Sequence, residues 1–151
     1  MEKNEINLKK ATRKDLEDLL FLERTADGVK TYSAMTEAKE FLDEIENNEV
    51  FIIEKAGQVV GSIMYEIKSP EHIYLSGLVI NPQFQGQGFA RQAMEIILAK
   101  FRDRNRIDLV THPENIKAIN LYKSLGFAIE SQKENYFGDG EPRVVMSKIK
   151  Q

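Results

Sequence analysis

The sequence predicts an α+β domain built on a mixed, mostly antiparallel sheet, and three observations predict it. β-Branched runs follow one another at 50–55, 58–68 and 73–80, the first two joined by Ala56-Gly57, so mid-chain reads as an antiparallel meander. Stretches with apolar residues at helical spacing lie on both sides of that meander. A last pair of runs, 127–134 and 143–149, brackets the turn-rich loop NYFGDGEP. With 151 residues and 42% hydrophobic content, the chain has the length of one domain around one core, so residues 1–151 are read as a single unit.

Each element has its own signal. Ile6 and Leu8 alternate within 5–10, a short strand. Thr12 supplies an N-cap, with Asp15 at the capping-box position, and Leu16, Leu19, Leu20 and Glu23 recur at helical spacing, which places a first helix at 13–25. After the irregular stretch 26–33, Thr36 precedes a second helix with Ala38, Phe41, Leu42 and Ile45 on one face. Ser69-Pro70 interrupts the meander and Asn81-Pro82 ends it. From Gly88 a third helix turns Ala90, Ala93, Met94, Ile97, Leu98 and Phe101 inward. Residues 107–111 form a buried strand, and 114–124 a fourth helix closed by Gly126. No repeat, low-complexity tract or linker interrupts this order.

Composition narrows the function. Lys and Arg number 21 against 24 Asp and Glu, so a formal charge of -3 exerts no long-range pull on nucleic acid or an acidic membrane face; a cationic or neutral partner is expected. Without cysteine there is no disulfide, thiolate nucleophile or cysteine zinc site. His72 and His112 lie far apart, so no built-in metal is expected. The stretch MEKNEINLKKA lacks the apolar segment of a secretory signal, and no apolar run approaches a membrane span; a soluble, cytoplasmic protein is expected.

The stretch QFQGQGFARQAM, residues 83–94, carries the chemistry. A strand ending at Ile80 and a helix starting near Gly88 leave helix N-terminal amides unsatisfied, with the positive end of the dipole behind them. Gly86, Gly88 and Ala90 keep bulk away so that a phosphate can approach the backbone, and Arg91 adds charge at the rim. A Walker A loop fails because Phe89 and Ala90 follow Gly88 where Lys and Ser or Thr are required. A dinucleotide GxGxxG meets Arg91 where its third small residue belongs, and it needs a βαβ unit rather than the end of a meander.

Gln85-Gly86-Gln87-Gly88-Phe89-Ala90 resembles the Q/R-x-x-G-x-G/A loop of the GNAT acetyltransferases, and VINPQFQ resembles that family's entry into the loop. Farther on, PENIKAINLYKSLGF is similar to the family's second signature, Asn then Ala, Leu-Tyr and Gly-Phe. The resemblance extends in element order over essentially the whole chain. It implies the GNAT fold, a mostly antiparallel mixed sheet with helices on both faces, and acetyl-CoA as co-substrate. It places the coenzyme against Leu78, Val79 and Ile80, along Gln85, Gly86, Gln87, Gly88, Phe89, Ala90 and Arg91, and at Asn115 and Tyr122. Asn115, Ala118, Ile119 and Tyr122 share one helix face by their spacing. By resemblance, Asn115 touches the pantetheine arm and Tyr122 protonates the leaving sulfur; a phenol of pKa about 10 is an adequate donor to a thiolate of about 8.5.

The acceptor side departs from the family. Its usual strand glutamate is missing: IYLSGLVI has no carboxylate, and Val110 holds the other usual position. The amine proton is expected to leave through a water held by Tyr74, Ser76 or His112, unless the substrate binds already neutral. Tyr74 resembles a strand tyrosine with that role in some N-terminal acetyltransferases. Gly77 is the expected site of a strand bulge, and with Tyr136 it is a candidate substrate contact. KENYFGDGEPRVVMSKI resembles the last hairpin of the ribosomal-protein-alanine and related Nα-acetyltransferases, with Phe137 replacing a second tyrosine. The resemblance therefore points to a protein or peptide N-terminus as acceptor. A small amine (polyamine, amino acid or amine-bearing drug) is the alternative enzyme reading, and a non-catalytic acyl-CoA-binding module is the alternative class. A monomer or a homodimer is expected.

Overall fold

The computed structural model describes residues 5–150, so the first four residues of MEKNEINLKKA lie outside the described part. In chain order it contains β1 (Asn7–Lys10), a 3-10 turn (Arg13–Asp15), α1 (Leu16–Thr25), α2 (Ala38–Asn47), β2 (Glu49–Lys55), β3 (Gln58–Ser69) and β4 (His72–Ile80). A second 3-10 turn (Pro82–Phe84) leads to α3 (Phe89–Lys100), β5 (Arg106–Thr111), α4 (Ile116–Ser124), β6 (Ala128–Lys133) and β7 (Arg143–Ile149). The strands form one sheet of order β1-β2-β3-β4-β5-β7-β6, antiparallel throughout except for β4 beside β5. This is the α+β architecture expected.

Local chemistry explains the boundaries. The expected first helix opens as a 3-10 turn because its capping box closes there: the Thr12 amide donates to Asp15 Oδ2 at 2.8 Å and the Lys14 amide to Thr12 Oγ1 at 3.3 Å. Ala56 (φ 51) and Gly57 (φ 79) both adopt positive φ, the turn whose twist matches a two-residue hairpin. In α3, Phe89 rather than Ala90 takes the first inward position. The fourth helix starts two residues later than the sequence predicts, with Asn115 as its N-cap residue.

The sheet separates two apolar layers. On one face, Ile63, Tyr65, Ile73, Leu75, Ile107 and Leu109 pack with Ala93, Met94 and Ile97 of α3 and Ile119 of α4. On the other, Val50, Ile52 and Met64 pack with Leu19 and Leu20 of α1 and Phe41 of α2. Each such aliphatic side chain, fully buried, contributes about 1.5–3 kcal/mol. Strand alternation sends Tyr74, Asp108 and Val110 away from the α3 and α4 layer, toward the α1 and α2 side.

One irregularity positions the site. Tyr65 pairs with Leu75 and Met64 with Gly77, so Ser76 is the extra residue of a bulge immediately before Gly77. Pairing between β4 and β5 covers His72–Leu75 against Arg106–Leu109 and then stops. Beyond it the two strands diverge, and a gap opens through the middle of the sheet.

Candidate active site

A cleft of about 460 Å³ occupies the divergence on the α3 and α4 face. Leu78 and Ile80 form its floor, the loop and helix start from Gln85 to Arg91 one wall, and Asn115, Lys117, Ala118, Leu121 and Tyr122 the other. Gly86 (φ +80) and Gly88 (φ +85) adopt left-handed backbone, and a Cβ built on either meets nothing within 4 Å. The space beside them is open to a ligand, which fits a phosphate cradle. Gly88 caps α3 without a side-chain bond, and the first rung of the helix runs from the Gln92 amide to the Gly88 carbonyl at 3.1 Å. The amides of Phe89, Ala90 and Arg91 precede that rung and face the N-terminal end of the dipole.

The other predicted coenzyme residues divide by what their side chains do. Gln85 Nε2 donates back to the Ile80 carbonyl at 3.1 Å, which ties the loop to the end of β4. Arg91 Nη2 donates to Ser124 Oγ at 2.6 Å and so links α3 to α4 across the cleft mouth. Phe89 is buried in the core, so its side chain serves packing while its backbone lines the cleft. Val79 turns to a separate hollow with Thr25 and Val29, and Gln87 is exposed outside the cleft lining. Of the four residues expected on one face of the fourth helix, Asn115, Ala118 and Tyr122 line the cleft while Ile119 enters the core. Lys117 and Phe84 also line it and escaped the sequence reading, since neither falls on a motif position.

Tyr122 stands where the cleft meets a narrower cavity. That second cavity, about 70 Å³, lies in the sheet gap and is lined by Tyr32, Ser76, Gly77, Val110 and Tyr122 among others. The end of α4 fixes the Tyr122 ring. The Phe127 amide bonds the Tyr122 carbonyl at 3.0 Å and the Gly126 amide bonds the Lys123 carbonyl at 3.0 Å, a Schellman closure that needs Gly126 at φ +101. It brings the Phe127 ring to 6.0 Å from that of Tyr122. Burial pushes the Tyr122 phenol up to about 12, so it remains a proton donor far into the alkaline range.

The other predicted residues lie on the α1 and α2 side. Tyr74 is half-buried; burial first, then Tyr136, Glu66, Asp108 and Glu44, pushes its phenol up to about 12. Lys68 Nζ lies 5.4 Å from the Tyr74 ring centroid. Tyr136 is exposed on the β6–β7 loop, edge-on to Phe137 at 4.9 Å. His112 is fully buried with both ring nitrogens occupied: Nδ1 accepts from the Glu114 amide at 3.0 Å, and Nε2 lies 2.7 Å from Glu141 Oε1. The bond to Nδ1 places the ring proton on Nε2, donated to Glu141. His112 thus pins the β6–β7 loop to the start of α4 and has no lone pair left for a water. Lys30 reaches Glu114 at 2.9 Å, which anchors the α1–α2 loop to the same segment.

The model of the acetyltransferase (GNAT) family matches residues 14–127. The chain belongs to the GNAT acetyltransferase family. It is an acetyl-CoA-dependent N-acetyltransferase. The spermidine N(1)-acetyltransferase of Escherichia coli is 26% identical over 153 residues, covering 91% of this chain and 81% of that one. Among solved structures, Ard1 from Thermoplasma volcanium superposes with a TM-score of 0.83 at 21% identity, covering 97% of this chain and 98% of that one. The ribosomal-protein-alanine N-acetyltransferase from Brucella melitensis superposes with a TM-score of 0.76 at 20% identity, covering 95% and 99%. At such identities these two structures establish the GNAT fold and leave the acceptor open. Among the described residues, no cluster of three His, Asp or Glu is arranged to hold a metal, and no helix is long and apolar enough to cross a membrane.

Two residues beside the sheet-gap cavity, Tyr32 in its lining and Glu23 behind it, escaped the sequence reading as site candidates. Glu23 of α1 is a buried carboxylate, 1% exposed, that accepts from the Met35 amide at 2.8 Å and from the Tyr32 hydroxyl at 3.0 and 3.2 Å. Burial raises its pKa, and the bonds from Met35 and Tyr32 oppose that rise. The available signal was a carboxylate on the apolar stripe of an amphipathic helix. Nothing in the irregular 26–37 segment marked Tyr32 as its partner.

Proposed function

We propose that this acetyltransferase acts on the α-amine of a peptide or protein N-terminus, by direct attack within a ternary complex. The observation that carries the reaction is Tyr122, whose phenol lines both the coenzyme cleft and the cavity in the sheet gap. When bound, acetyl-CoA supplies the thioester. The amides at the start of α3 would hold its pyrophosphate, Asn115 and the backbone of Leu78 and Ile80 its pantetheine arm, and Tyr122 would give a proton to the departing sulfur. The acceptor would enter from the opposite face, across Gly77, between Tyr74 on the sheet and Tyr136 on the β6–β7 loop. Two aromatic walls with polar tips suit the first residues of a peptide. The His112–Glu141 bond supports this reading by holding the Tyr136 loop over that entrance.

A small polyamine is the second reading, favoured by one observation: Glu44, Glu66 and Asp108 surround Tyr74 closely enough to perturb it. Lys68 pairs with Glu66 at 2.8 Å and Arg106 with Asp108 at 3.0 Å, so among the described residues Glu44 is the carboxylate of the three that an ion pair leaves for a polycation or an α-ammonium group. The deciding experiment follows coenzyme A release from acetyl-CoA with three sets of acceptors. These are short peptides with open α-amines, the same peptides blocked at the α-amine with one lysine exposed, and small amines including spermidine. Turnover confined to open α-amines supports the peptide reading. Turnover confined to small amines replaces it with the second, and coenzyme binding without turnover replaces both with a binding module.

A further inference from the structure

The strand carboxylate that would take the amine proton is absent, yet the cavity in the sheet gap is not short of proton-bearing groups. Three hydroxyls converge on its lining. Tyr122 is one. Ser76 Oγ is another, buried with no hydrogen-bond partner. The third, Tyr32, lies 3.8 Å from the position a Cβ on Gly77 would take, over the bulge where the acceptor crosses the sheet. Tyr32 is also close enough to Tyr122 for the Tyr122 phenol to act on its ionisation. Behind Tyr32 stands the buried Glu23 carboxylate, which makes no ion pair among the described residues. Its titratable neighbours are Tyr32 and, beyond it, Tyr122. A carboxylate desolvated without a cation is a strained anion that gains by accepting a proton.

We propose that Glu23, acting through the Tyr32 hydroxyl, is the proton acceptor for the attacking amine, a role that rests on the N-acetyltransfer reading above. As the amine nitrogen bonds the acetyl carbon and the carbon–sulfur bond breaks, one N–H proton passes to the Tyr32 oxygen. The Tyr32 proton passes to Glu23, and Tyr122 delivers its own to the sulfur. Glu23 ends with one proton more and Tyr122 with one fewer, and exchange with solvent restores both after release. Tyr32 is the catalytic residue here, since its hydroxyl lines the cavity; Glu23 is a positioning residue and proton sink.

The test uses the full chain, acetyl-CoA, and either spermidine or an alanine-initiated tetrapeptide, whichever turns over faster. Glu23→Gln keeps an oxygen for Met35 and Tyr32 but removes the proton acceptor. Tyr32→Phe leaves the Glu23–Met35 bond intact and covers the case in which the first variant folds poorly. Each is expected to lower kcat at least about 10-fold, as loss of general-base assistance does, with the KM for acetyl-CoA unchanged. The double variant should be no slower than the slower single one. The deficit should persist as pH rises, since the proton handed to Tyr32 is the one a neutral amine sheds on bonding the acetyl carbon. A Tyr32→Phe or Glu23→Gln enzyme that keeps its kcat at every pH, with only the acceptor KM altered, overturns the relay and leaves Glu23 as a tie for the α1–α2 loop. Silence of the unsubstituted protein toward every amine instead overturns the N-acetyltransfer reading, and this proposal with it.

Discussion

Tyr122 concentrates the residue-scale argument, because the same ring belongs to a helix terminus and to two cavities. Its phenol, pushed up to about 12 by burial, is protonated throughout the range in which amines become nucleophilic. The sign is favourable for an acid: raising the pKa extends the pH range over which the donor form persists, and its loss is confined to pH near 12. Tyr122→Phe should therefore lower kcat about 10²-fold or more while leaving acetyl-CoA affinity within twofold. The unsubstituted enzyme should show no alkaline decline in kcat assignable to Tyr122 below about pH 11, one unit short of that value. Titration of acetyl-CoA into both proteins, with kcat measured from pH 6 to 10.5, checks this; an unchanged kcat removes Tyr122 from the acid role. Tyr122 was legible from sequence because its partners lie in one helix and the turn that closes it. Glu23 and Tyr32 were not, since Tyr32 lies nine positions on, in irregular chain beyond the end of α1, and only the folded loop brings the hydroxyl onto the carboxylate.

At the scale of elements, two loops with no regular structure are each fastened to the segment between β5 and α4. His112 holds the β6–β7 loop through Glu141, and Glu114 holds the α1–α2 loop through Lys30. The Lys30 pair, exposed on both sides and screened by solvent, contributes little. The His112 bond matters more, because removing its acceptor leaves a fully buried N–H unsatisfied at a cost of about 1–3 kcal/mol. Glu141→Ala should accordingly raise the acceptor KM several-fold with the acetyl-CoA KM unchanged, and lower Tm; steady-state kinetics with both substrates varied, alongside thermal melts, tests it. An acceptor KM that stays constant would separate the loop from substrate binding. Most elements were legible because their signals are strong: 50–55 and 58–68 are β-branched runs joined at Ala56-Gly57, 143–149 follows a turn-rich loop, and the fourth helix announces its closure with Gly126. The shifts occurred at ends where a cap competes with the pattern, as at Thr12 with Asp15 and at Asn115. The surroundings of His112 were hidden for a different reason. A sequence does not reveal that both ring nitrogens are consumed, one by a backbone amide two residues on and one by a carboxylate twenty-nine residues away.

For the whole molecule, the sheet is joined across its middle by one short parallel pairing, and beyond Leu75 and Leu109 its two halves face each other across a gap. The coenzyme cleft draws one wall from the start of α3 and the other from α4, so a ligand seated there bridges elements that β-pairing does not connect. A ligand that binds only the folded chain stabilises it by about 2.7 kcal/mol at 100 times its Kd. For a domain of this size that corresponds to a rise in Tm of roughly 5–10 °C. Gly88→Val should remove most of that rise, because the new side chain projects into open space beside the α3 amides and the backbone there, at φ +85, resists a β-branched residue. Strain alone would lower Tm without affecting the ligand response, so a second glycine supplies the comparison. Gly138 has nearly the same φ, +82, with equally open surroundings, on the β6–β7 loop. Gly138→Val should lose stability by a similar route yet keep the full acetyl-CoA shift. Thermal melts of the three proteins with and without acetyl-CoA decide the matter. Equal shifts in all three would detach the α3 N-terminus from coenzyme binding, whereas loss confined to Gly88→Val ties the stability of the divided sheet to the ligand that spans it.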